Sequence, residues 1–211
     1  MNKQVKTENK LESSIKVEIL QLNNIKIKDP ILLNDFIETE VKRIKIDFLE
    51  QLPQGYTDSR KLYRSVKIDP TKYRPSSESL WRRIKKGLPF PKVNSFVDMI
   101  NYLSLKHQTS YGLYDLDKID GNISVELGTE ADSYEGIRKD RVNLKGKITL
   151  KDKIGSFGNP SSDSLRTSTN EKTKNLLVVI FFYKESNQIK YIKEDSYNNF
   201  SNHFDFFSNL S

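Results

Sequence analysis

The feature that most constrains this chain is one uninterrupted apolar run, LLVVIFFY, at Leu176–Tyr183. Its eight residues are far fewer than the ~18 that a membrane-spanning helix requires. A strand of this length with no polar side chain on either face is typical of the centre of a sheet that is covered on both sides. The run therefore predicts a sheet in which this strand is central and other elements pack on both faces.

The hydrophobic periodicity of the chain changes near residue 110. Before that point apolar residues recur at helical spacing, and after it the spacing shifts towards two. The predicted helices cover residues 30–52, 57–66, 76–86 and 95–107. The predicted strands cover residues 14–22, 123–127, 147–150, 155–158 and 176–183. We therefore predict an α/β or α+β fold, rich in helices before residue 110 and rich in strands after it.

Polar residues mark the starts of several predicted helices. Asp29 precedes a proline, as is typical of a first helical turn. Ser76 or Ser77 can cap the third helix, and Asn94 or Ser95 can cap the fourth. Proline and glycine at positions 53 and 55 are expected to end the first long helix.

Positive charge is concentrated in the middle of the chain. The 211 residues carry a net charge of +7, and residues 60–92 alone carry +9, because eleven Lys or Arg face only Asp69 and Glu78. Aromatic residues such as Tyr73 and Trp81 lie among these cations. Cations beside aromatic rings are suited to the phosphates and bases of nucleic acids. A solvated helix face explains the same pattern, so both interpretations stay open.

Composition excludes several kinds of site. The chain has no Cys and only two His, which excludes disulfides, thiolate metal ligands and a thiol nucleophile. The glycine-rich loops of P-loop and dinucleotide-binding proteins are absent. The acidic stretch 115–126 resembles a calcium loop, but Asp120 stands where such a loop requires Gly. We expect no metal ion and no cofactor.

The N-terminal residues carry no sign of a targeting sequence. The first 14 residues lack the apolar stretch and the small-residue cleavage site of a signal peptide. With no run long enough to span a bilayer, we expect a cytoplasmic protein that does not contact a membrane.

Two polar groups are candidate binding or catalytic elements. Asp98 and Asn101 lie three residues apart on one predicted helix, where they can orient a ligand or a water molecule. Asp98 equally suits a helix cap, because acids are favourable in a first turn. The loop 158–167 combines Gly, Asn, Pro, Ser, Asp and Arg, and it can bind a phosphate, a carboxylate or an amino-acid backbone.

Four motifs in order resemble the B3/4 domain, which occurs in the β subunit of bacterial phenylalanyl-tRNA synthetase and in free-standing proteins. The motifs are IDPTKYRPSSESL at 68–80, VDMINYLSL at 97–105, GLYDLDKI at 112–119 and GNPSSDSLRT at 158–167. The resemblance covers about residues 60–183. The first and last motifs are closer to the free-standing members than to the synthetase.

The resemblance implies a fold, a function and a partner. The fold would be a central mixed sheet flanked by helices. In the synthetase this module hydrolyses the ester of tyrosine wrongly attached to phenylalanine tRNA, and free-standing members are described as tRNA-binding. We predict three parts: residues 1–59 as a strand and long helix packed on the core, 60–183 as the B3/4 domain, and 184–211 as an aromatic C-terminal tail. Within the tail, residues 195–208 predict either a docked helix or a mobile segment.

The resemblance also assigns candidate catalytic residues. The synthetase motif V-D-x-T-N-Y matches residues 97–102, with Asp98 and Asn101 kept and the threonine replaced by Ile100. The synthetase motif H-A-F-D matches residues 112–115, so Gly112 stands in place of the pocket histidine, which argues against tyrosine editing. We predict that Asn101 orients a water, together with Asp98, and that Arg166 stabilises the oxyanion.

The remaining predicted site residues fall into two groups. The substrate-binding residues are predicted to be Arg74, Ser76, Tyr114, Asn159, Ser162, Asp163 and Ser164. The nucleic-acid-binding residues are predicted to be Lys72, Arg82, Arg83, Lys85 and Lys86.

Three functions follow as hypotheses. The chain binds tRNA or aminoacyl-tRNA, or it also hydrolyses mischarged aminoacyl-tRNA in trans. Alternatively, it binds a free amino acid or a similar small ligand in the same pocket, and the basic segment is only solvated. The sequence leaves the oligomeric state open.

Overall fold

The structure is a computed structural model, which describes residues 3–137 and 139–208. These residues form five α-helices and eleven strands. The helices are α1 Pro30–Glu50, α2 Gln54–Ser65, α3 Ser76–Lys85, α4 Ser95–His107 and α5 Ile189–His203. The first six strands are β1 Val5–Thr7, β2 Ile15–Ile27, β3 Ser110–Asp115, β4 Ile123–Leu127, β5 Ser133–Gly136 and β6 Lys139–Asn143. The others are β7 Ile148–Lys151, β8 Ser156–Asn159, β9 Ser162–Asp163, β10 Leu176–Tyr183 and β11 Phe204–Ser208.

The strands are divided among three sheets. A four-stranded antiparallel sheet has the order β11-β2-β10-β3. A five-stranded mixed sheet has the order β1-β4-β7-β8-β9, in which only the β1–β4 pair is parallel. The strands β5 and β6 form a separate hairpin. The predicted mixed α and β class is confirmed, with two larger sheets in place of one.

The apolar strand β10 is central, as predicted, and is buried on both faces. Its even-numbered residues, such as Val178 and Ile180, pack into a core with the helices α1, α3, α4 and α5. Its odd-numbered residues, such as Val179 and Phe181, pack into a second core with α2 and the five-stranded sheet. The alternation of a strand explains why every position of the run is apolar.

Helix starts confirm some predicted caps and correct others. The Asp29 carboxylate accepts from two backbone N–H groups of α1, and the Asn94 side chain does the same for α4. The prediction for α3 is wrong, because Pro75 occupies the N-cap and Ser76 and Ser77 lie inside the helix. A cap needs a side-chain oxygen that accepts from the free N–H groups of the helix. The hydroxyl oxygens of Ser76 and Ser77 are buried and accept no such hydrogen bond.

Several boundaries differ from the prediction, and six strands, β1, β3, β5, β6, β9 and β11, were not predicted. The helix α2 begins at Gln54, so Gly55 lies inside it. The strand β2 continues to Ile27 because β11 pairs with its distal half. Residues 195–208 are the end of α5 followed by β11, where a single helix or a mobile tail was expected. The strand β3 was not predicted, although it pairs with β10 along most of its length.

Candidate functional site

A cavity of about 460 Å³ opens between the starts of α3 and α4, the strand β3 and the β8–β9 loop. Its volume lies in the range of small-molecule sites in proteins. Most of its wall is apolar, and Leu80, Val97, Ile100, Leu113 and Ile137 contribute side chains. The polar lining residues include Ser76, Asn101, Ser104, Asn159, Ser162 and Asp163. The structure therefore brings together four residues from the predicted site motifs, Asn101, Asn159, Ser162 and Asp163, and Ser76 from the basic segment.

Asn101 offers an amide that the protein does not use. The residue lies on α4 and lines the cavity in a partly exposed position. Among the described residues, no hydrogen bond joins its side chain to another group. An amide held on a rigid helix and free to donate and accept can orient a polar group of a ligand or a water.

Ser76 contributes a second free polar atom. Its hydroxyl oxygen is buried and has no hydrogen-bond partner among the described residues. Its backbone N–H, by contrast, donates to the carbonyl of Pro160 at 3.3 Å, which fixes the start of α3 against the β8–β9 loop. Buried hydroxyls are normally paired, so this unpaired hydroxyl marks a polar atom without a partner next to the cavity wall.

Asp163 places a carboxyl group in the wall of the cavity. The Tyr114 hydroxyl donates to it at 2.5 Å, and Tyr114 itself is fully buried. Burial raises the pKa of Asp163 to about 7, although the hydrogen bonds from Tyr114 and from the backbone of Leu113 oppose the rise. The same burial, with the nearby Asp163 carboxylate, raises the pKa of Tyr114 well above its usual value. The carboxyl can therefore change its charge near neutral pH.

Two glycines make room for the Tyr114 ring. A Cβ atom added at Gly112 would lie 2.3 Å from the Tyr114 hydroxyl oxygen, and one added at Gly158 would lie 2.1 Å from it. The sequence resemblance matches Gly112 with the histidine of the H-A-F-D motif, and that match stays a prediction. In this chain the Tyr114–Asp163 pair fills that space, and no larger side chain fits at position 112 without a shift.

The β8–β9 loop, which precedes Asp163, is held by its own hydrogen bonds. The side-chain amide oxygen of Asn159 accepts from the N–H groups of Ser161 and Ser162, at 2.8 and 3.1 Å. Its amide nitrogen donates to the Tyr134 hydroxyl at 2.7 Å, and that hydroxyl donates to the Ser162 carbonyl. Asn159 therefore orders the loop, which places the polar residues at the cavity.

Asp98 does not line the cavity beside Asn101. Its carboxylate accepts from the backbone N–H of Val93 at 2.8 Å, just before the start of α4. Burial raises the pKa of Asp98, and the Val93 hydrogen bond opposes that rise. The geometry matches the capping interpretation that the sequence left open, in which the carboxylate stabilises the approach to the helix.

Arg166 and Ser164 are also absent from the cavity lining. The Arg166 guanidinium makes a bidentate ion pair with Asp152, with both N···O distances 2.9 Å, and donates to the Lys118 carbonyl. Ser164 is buried, and its hydroxyl bonds the Thr167 hydroxyl at 2.9 Å. The Nη1 and Nη2 groups of Arg166 are occupied outside the cavity lining, and the role of Arg166 as an oxyanion donor stays a prediction.

The predicted nucleic-acid residues separate into paired and unpaired cations. Glu78 is buried and accepts from both Arg60 and Arg82. The Arg83 Nε donates to the Pro89 carbonyl. Lys85 and Lys86 are exposed, and their ammonium groups form no hydrogen bond or ion pair within the described part of the chain. Two of the four predicted cations on this helix end therefore hold local structure.

Lys72 and Arg74 lie outside the cavity lining, in a depression of about 310 Å³ that also borders the β8–β9 loop. The depression also contains Tyr73 and Lys147. Ser161 joins this region to the loop, because its hydroxyl bonds both the Tyr63 hydroxyl and the Arg74 carbonyl.

Sequence reasoning missed part of the cavity. Tyr111 and Leu113 belong to β3, which was not predicted, and Ser168 and Thr169 follow the loop. The alternating apolar residues at 111 and 113 were a signal for that strand, but the polar residues around them obscured it.

Neither a cluster of metal ligands nor a membrane-spanning helix occurs in the described ranges. Within residues 3–137 and 139–208, no three His, Asp or Glu side chains come together as metal ligands. None of the helices in those ranges has the length and apolar character that crossing a bilayer requires.

Comparison with known proteins connects this chain to one family. The model of the B3/4 domain matches residues 58–206, which is more than half of the chain. The phenylalanine–tRNA ligase β subunit of Fusobacterium nucleatum subsp. nucleatum is 25% identical over 187 residues, covering 84% of this chain and 22% of that protein. The chain thus spans about a fifth of the length of this relative.

The fold agrees with the sequence match. A crystal structure of an N-terminal fragment of the phenylalanyl-tRNA synthetase β subunit from Pyrococcus horikoshii superposes with a TM-score of 0.52 and 12% identity. The superposition covers 96% of this chain and 49% of the fragment. The overall fold is therefore similar to that of the fragment. With the family model matching residues 58–206, the chain belongs to the B3/4 domain family.

Proposed function

We propose that this protein binds aminoacyl-tRNA, with the aminoacyl group in the cavity, and hydrolyses the aminoacyl ester. The observation that carries the proposal is the make-up of the cavity. Its apolar walls suit an amino-acid side chain, and Asn101 and Asp163 supply polar groups beside it. The relatives named phenylalanyl-tRNA synthetase β subunits support tRNA as the partner.

The charges of the cavity favour an esterified amino acid over a free one. The described lining residues include one ionisable acid, Asp163, and no Lys, Arg or His. A free amino acid carries a carboxylate, which is costly to bury without a cation or several donors. In an aminoacyl ester that charge is gone and only the α-ammonium group remains, and Asp163 can pair with it.

Asn101 is the group that we assign to the hydrolytic step. Its free amide orients a water against the ester carbonyl, and the attack breaks the bond between the carbonyl carbon and the ribose oxygen. The ribose oxygen takes a proton from the water, so free amino acid and uncharged tRNA leave. Such a site works by placing the water correctly more than by a strong base.

Ester hydrolysis on a panel of correctly charged and mischarged aminoacyl-tRNAs tests the catalytic part. We expect selective deacylation by the parent chain and a loss of about 100-fold in rate for Asn101→Ala. Asn34→Ala is the matched control, since Asn34 is an exposed residue of α1 away from the cavity. No deacylation across the panel would contradict hydrolysis, while binding is measured separately.

Binding of amide-linked aminoacyl-RNA, which cannot be hydrolysed, tests the recognition part. We expect Asp163→Asn to weaken binding of the analogue with a free α-amino group, and to leave the N-acetylated analogue unaffected. Equal effects on both analogues would contradict the pairing of Asp163 with the ammonium group. Tighter binding of the free amino acid than of the ester analogue would favour the small-ligand alternative.

A further inference from the structure

The depression next to the β8–β9 loop, here called the groove, is lined by cations, whereas the cavity wall is mostly apolar. Its volume is about 310 Å³, and its lining includes the cations Lys72, Arg74 and Lys147 and no acid among the described residues. Positive charge on a concave surface attracts anions, because the shape concentrates the field. The groove is therefore suited to a negatively charged ligand.

Lys72 and Arg74 differ from the cations of the basic segment that a carboxylate neutralises. Arg60 and Arg82 are neutralised by Glu78, and Lys92 pairs with Glu38. Lys72 and Arg74 are exposed, and no carboxylate within the described ranges lies within ion-pair distance of either. The unbalanced charge of residues 60–92 is thus brought to this groove as well as to the end of α3.

An aromatic ring lies beside these charges. Tyr73 is 52% exposed, and the Lys147 ammonium lies 5.0 Å from the centre of its ring. Exposed aromatic rings next to cations bind single-stranded nucleic acid, because bases stack on the ring while the cations contact the phosphates. A ligand that carries both a phosphate and a base fits this groove better than an inorganic anion.

The groove and the cavity share one wall. Asn159, Pro160, Ser161 and Ser162 line both, so the two spaces adjoin the same loop. The Ser161 hydroxyl bonds Tyr63 at 2.7 Å and the Arg74 carbonyl at 3.3 Å, which fixes the groove relative to the loop. A ligand in the cavity that extends over this loop must therefore enter the groove.

We propose that the groove binds the backbone phosphates of the single-stranded 3′ end of the RNA whose aminoacyl group lies in the cavity. The inference rests on the proposed function, since an aminoacyl ester is attached to the last nucleotide of its RNA. Lys72 and Arg74 contact phosphate, and Tyr73 stacks with a base. The β8–β9 loop lies between the amino acid on one side and the nucleotides on the other.

The test compares two RNAs and two double variants of the full chain. One RNA is an acceptor-stem minihelix that ends in amide-linked aminoacyl nucleotides, and the other is the same minihelix without its single-stranded 3′ end. The groove variant is Lys72→Ala/Arg74→Ala. The control is Lys85→Ala/Lys86→Ala, which removes the same charge from exposed positions outside the groove.

We expect the groove variant to bind the complete minihelix at least tenfold more weakly than the parent does. The variant and the parent should bind the truncated minihelix with the same affinity. The slope of log affinity against log salt should become shallower by about 0.7 for each phosphate that the variant no longer neutralises. The control should change the affinity for both RNAs by the same factor.

Two results would overturn the inference while leaving aminoacyl-tRNA binding intact. In the first, the groove variant binds the complete minihelix as tightly as the parent does. In the second, it binds both RNAs more weakly by the same factor. A parent chain that binds the complete minihelix no better than the truncated one would contradict the proposed function itself, and the groove assignment with it.

Discussion

Among single residues, Asp163 shows most clearly which features of the site the sequence can predict and which only the structure reveals. The sequence identified it as part of a polar loop, and the structure places it in the cavity wall. Its hydrogen bond with Tyr114 joins residues 49 positions apart, so only the fold reveals it. Arg166 lies three residues further along the same motif, yet the Asp152 ion pair holds it away from the cavity. Neighbours in a motif need not share a site.

The raised pKa of Asp163 predicts how stability depends on pH. Because the folded-state pKa is about 7 and the unfolded value is near 4, the folded chain holds a proton that the unfolded chain releases. Stability from this group is complete below pH 4 and is lost as the pH rises through 7. Urea unfolding should show the parent losing on the order of 2 kcal/mol relative to Asp163→Asn between pH 5 and pH 8. An equal difference at both pH values would contradict a buried titrating carboxyl.

The close approach of Tyr114 predicts that Gly112 tolerates no side chain. In Gly112→Ala the new Cβ would lie 2.3 Å from the Tyr114 hydroxyl oxygen, so the ring or the strand must move. We expect a loss of about 1–3 kcal/mol in the free energy of unfolding, as for other overpacked cores. Chemical unfolding of Gly112→Ala, Tyr114→Phe and the double variant measures it. If the alanine costs less than about 0.5 kcal/mol, the packing account is wrong.

At the scale of elements, the sequence predicted those helices and strands whose defining interactions lie within the segment itself. The strand β10 and the helix α4 have the predicted bounds, because the run of apolar residues and the Asn94 cap are complete within each segment. The strand β3 is stabilised by pairing with β10, and Gly112 in its middle weakens any local signal. The strand β11 likewise forms on the edge that β2 offers.

The ion pair of Arg166 predicts an element-scale effect. Its guanidinium joins the segment after β9 to Asp152, whose side chain is shielded from solvent, so Arg166→Ala leaves a buried carboxylate with fewer partners. We expect a loss of about 1–3 kcal/mol in unfolding free energy and an unchanged deacylation rate per folded molecule. Arg43→Ala, which removes an exposed arginine from α1, is the control and should stay within about 0.5 kcal/mol. An Arg166→Ala variant that keeps its stability but loses the deacylation rate would support a catalytic role for Arg166.

On the scale of the whole molecule, the two faces of one sheet explain the site. The helices α1, α3, α4 and α5 cover one face of the four-stranded sheet, and α2 and the five-stranded sheet cover the other. The cavity lies where α3 and α4 approach the edge strand β3, beside the β8–β9 loop of the second sheet. A site that needs both layers has no single motif in the sequence. The four motifs of the family are therefore spread over about a hundred residues.

The predicted division of the chain into a domain at residues 60–183 and a tail at residues 184–211 can be tested by truncation. Ile192, Phe200 and Phe204 belong to the helix-side core and are at most 3% exposed. Each buried apolar side chain contributes roughly 1.5–3 kcal/mol, so losing these three and the edge strand approaches the whole stability of a domain. We expect a chain ending at residue 188 to lack a cooperative thermal transition. Phe207→Ala, which removes a side chain that is 71% exposed, should melt like the parent. If the shortened chain also melts cooperatively at the parental temperature, the residues beyond 188 are an appendage and the core is complete without them.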